Sequence, residues 1–154
     1  MRSALLPALR RAETAVMSDE ATEPSPIIRV LVAEDMRIVR ETLVTLFSLE
    51  DDIEVVAEVA AGTGIVPAAI EHRPDVALLD IGLPGADGIS AAAELARRLP
   101  DCKVVVLTAL GTADLQQRAA AAGVSSFLLK DVPAATLLDA IRSAARQAGS
   151  QRPG

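Results

Sequence analysis

Five side chains able to bind a cation or a phosphate end apolar stretches of this sequence. Glu34 and Asp35 follow the first such stretch, and Asp80 directly follows another. Thr108 and Lys130 end two further apolar runs in the same way. The set therefore combines carboxylates, a hydroxyl and an amine, which are the groups that cation and phosphate chemistry needs.

Three carboxylates in one place would repel one another and raise one another's pKa. A divalent cation removes that conflict, and Mg²⁺ prefers oxygen ligands from one or two carboxylates, water and phosphate. A lysine amine is a compact positive charge suited to a phosphate. No histidine or cysteine stands beside these residues, so zinc chemistry and acyl hydrolysis are poor fits. The residue types favour phosphoryl transfer, in which a carboxylate acceptor would give an acyl phosphate.

The apolar runs that carry these residues predict alternating strands and helices. An uninterrupted run such as Val76–Leu79 is typical of a strand buried on both faces of a parallel sheet. The sequence predicts strands at 28–33, 53–59, 76–79, 103–107 and 125–129, and helices at 36–50, 62–72, 89–99, 113–122 and 133–146. This alternation predicts an α/β fold, a doubly wound five-stranded parallel sheet in a single domain.

The carboxyl ends of parallel strands share one edge of a sheet, where open α/β folds bind their ligands. We therefore expect the five polar side chains to meet there. Taken singly, each has a structural explanation. Asp80 could be a helix cap or turn residue, and Glu34 and Asp35 could cap a helix. Thr108 could be an ordinary strand-end residue, and Lys130 could be a solvated surface charge. The functional interpretation depends on their common placement at strand ends.

The composition limits the class of protein. With 154 residues, the chain is long enough for one domain and short for two. A net charge of -6 argues against a broadly basic nucleic-acid surface, and no apolar run reaches the roughly 20 residues of a membrane span. The single Cys102 excludes an intrachain disulfide, and the single His72 is expected at the surface. We expect a cytoplasmic domain at residues 27–148, with a tail at 1–26 and a flexible C-terminus at 149–154.

The motifs together resemble the receiver domain of bacterial two-component response regulators. The resemblance covers residues 28–148. Within the receiver family, the sequence is similar to the NarL/FixJ class, especially its DesR-like members. It is carried by Glu34-Asp35, by Asp80 followed by Pro84 and Gly88, by Thr108-Ala109, and by Lys130 after Phe127-Leu128-Leu129. It implies a flavodoxin-like sheet with the strand order 2-1-3-4-5.

The resemblance also implies a phosphoacceptor and a metal site. Asp80 would accept a phosphoryl group from a phosphohistidine of a sensor histidine kinase, or from a small donor such as acetyl phosphate. Mg²⁺ would be held by Asp35, Asp80 and the Gly82 carbonyl, with Glu34 acting directly or through water. The chain would catalyse its own phosphorylation and dephosphorylation only, and would not otherwise be an enzyme.

The remaining residues of the resemblance would bind the phosphoryl group and transmit its arrival. Thr108 and the Ala109 amide would bind phosphoryl oxygens, and Lys130 would pair with another. Phe127 occupies the position of the family's switch aromatic and would rotate inward when Thr108 moves. The expected output is a phosphorylation-dependent homodimer or a changed partner surface, in transcriptional control.

One departure from the class concerns DNA binding. NarL/FixJ regulators continue into a helix-turn-helix domain, whereas this sequence stops at Gly154, so we expect a stand-alone receiver or a truncated regulator without DNA or membrane contact of its own. A constitutive interaction module with a vestigial acidic pocket is an alternative function. A flavin or nucleotide binder is disfavoured, because Glu34 and Asp35 stand where a glycine-rich phosphate loop would follow the first strand.

Overall fold

The computed structural model describes residues 26–85 and 87–150. The predicted tail lies outside this part of the chain, apart from Pro26, and so do residues 151–154. The strands are β1 (Ile28–Ala33), β2 (Ile53–Val59), β3 (Val76–Leu79), β4 (Lys103–Thr108) and β5 (Ser126–Leu129). The helices are α1 (Arg37–Ser48), α2 (Ile65–His72), α3 (Gly88–Arg98), α4 (Ala113–Ala121) and α5 (Ala134–Ser150).

The strands form one five-stranded parallel sheet in the order β2-β1-β3-β4-β5. The predicted fold class and strand order are confirmed. From β1 the chain first builds outward to β2 and then returns to place β3 on the other side, so β1 and β3 flank the point where the winding reverses. Open α/β sheets bind ligands at the carboxyl ends of the strands at such a point.

The sheet is covered on both faces because alternate strand residues point to opposite sides. From β1, Leu31 lies in one core layer with Leu95 of α3. Its neighbour Val32 lies in the other layer with Phe47 of α1 and Ile141 of α5. All four residues of β3 are buried, as the apolar run predicts. The ends of the central strands are therefore held by packing on both sides.

The segment before α2 differs from the predicted helix at 62–72. Gly62–Gly64 form a short 3-10 turn, and the α-helix begins only at Ile65. Two glycines in three residues have low helix propensity, and the Gly62 amide donates instead to the Pro84 carbonyl at 2.7 Å. This bond ties the turn to the loop that follows β3.

The C-terminal boundary also differs. The sequence predicts a helix end at Arg146 and a flexible segment from Gly149, but α5 continues through Ser150. The predicted helix end is wrong because Ala148 is buried four positions after the buried Ala144, so this turn still packs on the core. The flexibility of residues 149–154 stays a prediction. Among all the helices of residues 26–85 and 87–150, none is long and apolar enough to cross a membrane.

Candidate functional site

Two acidic side chains lie almost fully buried at the carboxyl edge of the sheet. Glu34 follows β1 and is 1% exposed, and Asp80 follows β3 and is 8% exposed. The Asp80 amide donates to the Ala33 carbonyl at 3.0 Å, and the Glu34 amide donates to the Val59 carbonyl at 2.9 Å. The hydrogen bonding of the sheet therefore continues through both residues and fixes where their carboxylates lie.

The amine of Lys130 joins these two carboxylates. It lies 2.8 Å from Glu34 Oε1 and 3.0 Å from Asp80 Oδ2, and the Lys130 amide donates to the Thr108 carbonyl at 2.9 Å. Partial burial lowers the pKa of the Lys130 amine, but its hydrogen bonds with Glu34 and Asp80 oppose this and leave the pKa raised. The structure thus brings together residues 50 positions apart in the chain, as predicted.

Asp35 completes an acidic cluster with Glu34 and Asp80. One oxygen from each of the three carboxylates lies within 4.8 Å of the others, and Asp35 itself is exposed. This all-oxygen donor set fits a hard cation such as Mg²⁺. Three carboxylates and the Lys130 amine leave a formal charge of about −2, which a divalent ion balances. His72 lies at the end of α2 beside Glu71, with a partly exposed side chain, in agreement with the prediction.

Each carboxylate oxygen of Asp80 already has a donor. Oδ2 receives the Lys130 amine, and Oδ1 accepts the Gly82 amide at 2.9 Å. Gly82 therefore lies beside the carboxylate and contacts it through its amide. The metal contact through the Gly82 carbonyl stays a prediction. A side chain at this position would bring its Cβ 3.6 Å from Asp80 Oδ1, so glycine leaves the approach to that oxygen open.

Thr108 ends β4 and is 2% exposed. Its hydroxyl oxygen accepts the Leu110 amide at 3.2 Å, which leaves the hydroxyl proton available for an acceptor. Ala109, between them, is exposed. Thr108 therefore lies at the predicted edge of the sheet, and its hydroxyl is hydrogen-bonded to the loop that leads to α4.

Phe127 lies on β5 and is partly buried. Its ring packs against the core layer on the α2 and α3 face of the sheet. The position between core and surface is what a side chain with two orientations requires. The inward rotation itself stays a prediction.

Arg40 is a site residue that the sequence analysis did not single out. Its Nη1 donates to the Glu34 carbonyl at 2.8 Å, and its Nε lies 3.4 Å from Glu58 Oε1. A signal was present in the sequence, because basic residues are unfavourable in the first turn of a helix. Arg40 and Arg37 both stand in that turn of α1, so a nearby acidic group could have been expected to compensate them.

Comparisons with known proteins identify the family of this chain. Residues 30–142 match the family described as the response regulator receiver domain. The transcriptional regulatory protein DesR of Bacillus subtilis is 40% identical over 117 residues, which cover 76% of this chain and 58% of DesR. LiaR of the same organism, also described as a transcriptional regulatory protein, is 40% identical over 120 residues, 78% of this chain and 57% of LiaR.

A solved structure supports the same assignment. The signal receiver domain of the putative response regulator NarL from Mycobacterium tuberculosis superposes with a TM-score of 0.75 at 32% identity, over 79% of this chain and 98% of that one. The chain spans a little over half the length of the two curated relatives. This chain belongs to the response regulator receiver domain family of two-component systems.

Proposed function

We propose that Asp80 accepts a phosphoryl group from a phosphohistidine of a sensor histidine kinase, in a reaction that requires Mg²⁺. The observation that carries this proposal is the arrangement around Asp80, an almost buried carboxylate between a charged lysine and two further carboxylates. This arrangement serves positioning and charge neutralisation, which supply most of the catalysis in phosphoryl transfer.

In the transfer, an Asp80 oxygen attacks phosphorus, the phosphorus–nitrogen bond breaks, and its electron pair returns to the imidazole of the donor. Asp35, Asp80 and the Gly82 carbonyl would hold Mg²⁺, with Glu34 acting directly or through water, and the ion would neutralise charge on the phosphoryl oxygens. Lys130 keeps Asp80 oriented before the reaction. Afterwards the lysine amine pairs with a phosphoryl oxygen. The Glu34 carboxylate then loses its lysine partner, and the cation would balance its charge. The chain transforms no separate substrate.

The phosphoryl group would then act on Thr108, Ala109 and Phe127. It adds about 1.5 to 2 negative charges and three acceptor oxygens. The Thr108 hydroxyl, whose proton is available, and the Ala109 amide turn towards these oxygens. Since Thr108 also holds the loop to α4 through Leu110, its movement releases that loop and makes room for Phe127. The phosphoryl group shifts the equilibrium between the arrangements of this region before and after phosphorylation. It can do so only as far as it interacts more favourably with one arrangement than with the other.

The output of this switch would be a homodimer or partner surface that regulates transcription. Two relatives described as transcriptional regulatory proteins support this step. The domain would comprise residues 27–148 and act in the cytoplasm, where sensor kinases present their phosphohistidine.

Labelling with a phosphodonor tests the proposal. The protein is incubated with acetyl phosphate or a phosphorylated sensor kinase, with and without Mg²⁺, and acyl phosphate is detected by intact mass. We expect labelling that needs Mg²⁺ and disappears in Asp80→Asn. Asp131→Asn is the matched control, because Asp131 is exposed and outside the acidic cluster. Labelling that survives in Asp80→Asn would refute the assignment, and partner binding independent of phosphodonor would favour the constitutive interaction module.

A further inference from the structure

Arg40 connects the acidic cluster with the edge of the sheet. Its side chain is only 19% exposed although it carries a full charge. One nitrogen donates to the Glu34 carbonyl, and another lies near the Glu58 carboxylate at the end of β2. The guanidinium therefore contacts the main chain at the start of the turn between β1 and α1.

This turn presents Asp35, the exposed member of the cluster. Among the described residues, no hydrogen bond or ion pair holds the Asp35 carboxylate, so its position depends on its own side-chain torsions and on the backbone of the turn. The turn is held on one side by the Met36 amide, which donates to Glu34 Oε2 at 3.0 Å. On the other side it is held by Arg40 at the Glu34 carbonyl.

We propose that Arg40 is a positioning residue, which fixes the turn so that Asp35 faces the cation together with Asp80. The inference rests on the proposed function, because it concerns the affinity of the same Mg²⁺ site. Groups that orient metal ligands without touching the metal commonly change metal affinity by about 10- to 100-fold when they are replaced.

The charge of Arg40 has the opposite effect on the Mg²⁺ affinity. A guanidinium near three carboxylates weakens the attraction of a cation, so removing it should tighten Mg²⁺ binding if charge alone matters. Loss of positioning should weaken binding. The two explanations therefore predict changes of opposite sign, and the long-range charge effect is reduced by added salt whereas the positioning effect is not.

The test is calorimetric titration of the full chain with Mg²⁺ alone, at low and at high salt. The variants are Arg40→Gln and Arg40→Met, the latter keeping the apolar stem. Arg37→Gln is the matched control, since it removes the same charge from the same helix turn. In the described structure the Arg37 side chain pairs only with Glu41. We expect Mg²⁺ affinity to fall about tenfold in both Arg40 variants, and to change less than about twofold or to rise in Arg37→Gln.

A second control separates the two contacts of Arg40. Glu58→Gln removes the ion-pair partner and leaves the Glu34 carbonyl contact, so we expect its Mg²⁺ affinity to stay within about twofold of the wild type. Urea unfolding in EDTA checks that all variants are folded. The inference is overturned if both Arg40 variants bind Mg²⁺ as tightly as the wild type or more tightly, or if Arg37→Gln or Glu58→Gln loses as much affinity. A wild type that binds Mg²⁺ normally but is not labelled at Asp80 would refute the proposed function and leave the role of Arg40 intact.

Discussion

Lys130 reduces the repulsion between carboxylates that the fold forces together. Its amine contacts both Glu34 and Asp80, and the Glu34 side chain is 2% exposed. Removing the lysine leaves two nearly buried carboxylates whose remaining described donors are main-chain amides, with no paired positive charge. We expect Lys130→Gln to lower the free energy of unfolding in EDTA by about 1–3 kcal/mol. Saturating Mg²⁺ should restore part of this loss, because the cation then supplies the positive charge.

Urea unfolding with EDTA and with Mg²⁺ measures both quantities. Arg97→Gln serves as a control, since Arg97 is an exposed cation on α3 away from the acidic cluster. Equal metal-free stability of Lys130→Gln and the wild type would show that the lysine does not offset the carboxylates.

Cys102 is a buried thiol whose protonation depends on the fold. Burial raises its pKa from 9.0 to about 12, the Asp75 charge adds to this, and Lys103 opposes it. Because the folded pKa is the higher one, the contribution of the thiol to stability is complete below about pH 9 and is lost as the pH rises through about 12. At pH 8 we expect iodoacetamide to modify the folded protein far more slowly than the urea-unfolded chain, as followed by mass spectrometry. Equal rates would contradict the burial of this group.

The residue types of the site could be predicted from the sequence, but some of their contacts could not. Asp80 and Lys130 follow apolar runs that end at one edge of the sheet, so their meeting follows from parallel topology. The role of Arg40 depends on its hydrogen bond to the Glu34 main-chain carbonyl. The role of Leu110 depends on the hydrogen bond from its main-chain amide to the Thr108 hydroxyl. These main-chain partners are not encoded in the pattern of side-chain types. The two arginines in the first turn of α1 indicated only that some compensating group lies near them.

At the level of elements, Arg142 joins α5 to the loop between α1 and β2. Its Nε and Nη2 donate to both oxygens of Asp52 at 2.8 and 2.9 Å, and Nη2 also donates to Glu50 at 2.7 Å. These hydrogen bonds, first with Asp52 and then with Glu50, raise the pKa of the Arg142 guanidinium. A bidentate pair with an additional carboxylate is stronger than an isolated surface ion pair.

We expect Arg142→Ala to lower the free energy of unfolding by about 1–2 kcal/mol. Labelling of Asp80 should be unchanged, because the contact lies away from the acidic cluster. Denaturant unfolding measures the effect, with Arg146→Ala as the control from an exposed position of the same helix. If the two variants are equally stable, the three hydrogen bonds add nothing beyond ordinary surface contacts.

The strands were more predictable than the ends of the helices. β3 is recognisable because an uninterrupted apolar run can hardly be accommodated except in a buried strand. The start of α2 and the end of α5 were misplaced, since each depends on a distant contact. The Gly62 amide bonds to Pro84 on another loop, and Ala148 is buried against the core. Local helix propensity therefore could not have predicted either contact.

Considered as a whole, the molecule combines a core packed on both faces with one helix that is weakly held. α4 contributes one buried residue, Ala119, whereas α3 contributes five. α4 is also joined to the start of α3 by the pair of Arg118 with Asp87 at 3.2 Å, and both side chains are more than 40% exposed. Such a pair is worth little free energy. Moving α4 therefore costs much less than moving any element of the core.

This difference predicts that phosphorylation changes association without unfolding the domain. Beryllium fluoride with Mg²⁺ places a stable mimic of the phosphoryl group on an acceptor carboxylate, so sedimentation velocity can be measured with and without it. We expect the wild type to shift from monomer towards dimer on addition, and Asp80→Asn to remain unchanged. A stable dimer must bury more than about 1,000 Å² in total, which the rearranged surface around α4 or another helix has to supply. Identical sedimentation in both conditions, with the mimic shown by mass to be bound, would mean that the switch acts through a different partner and not through a second copy of the chain.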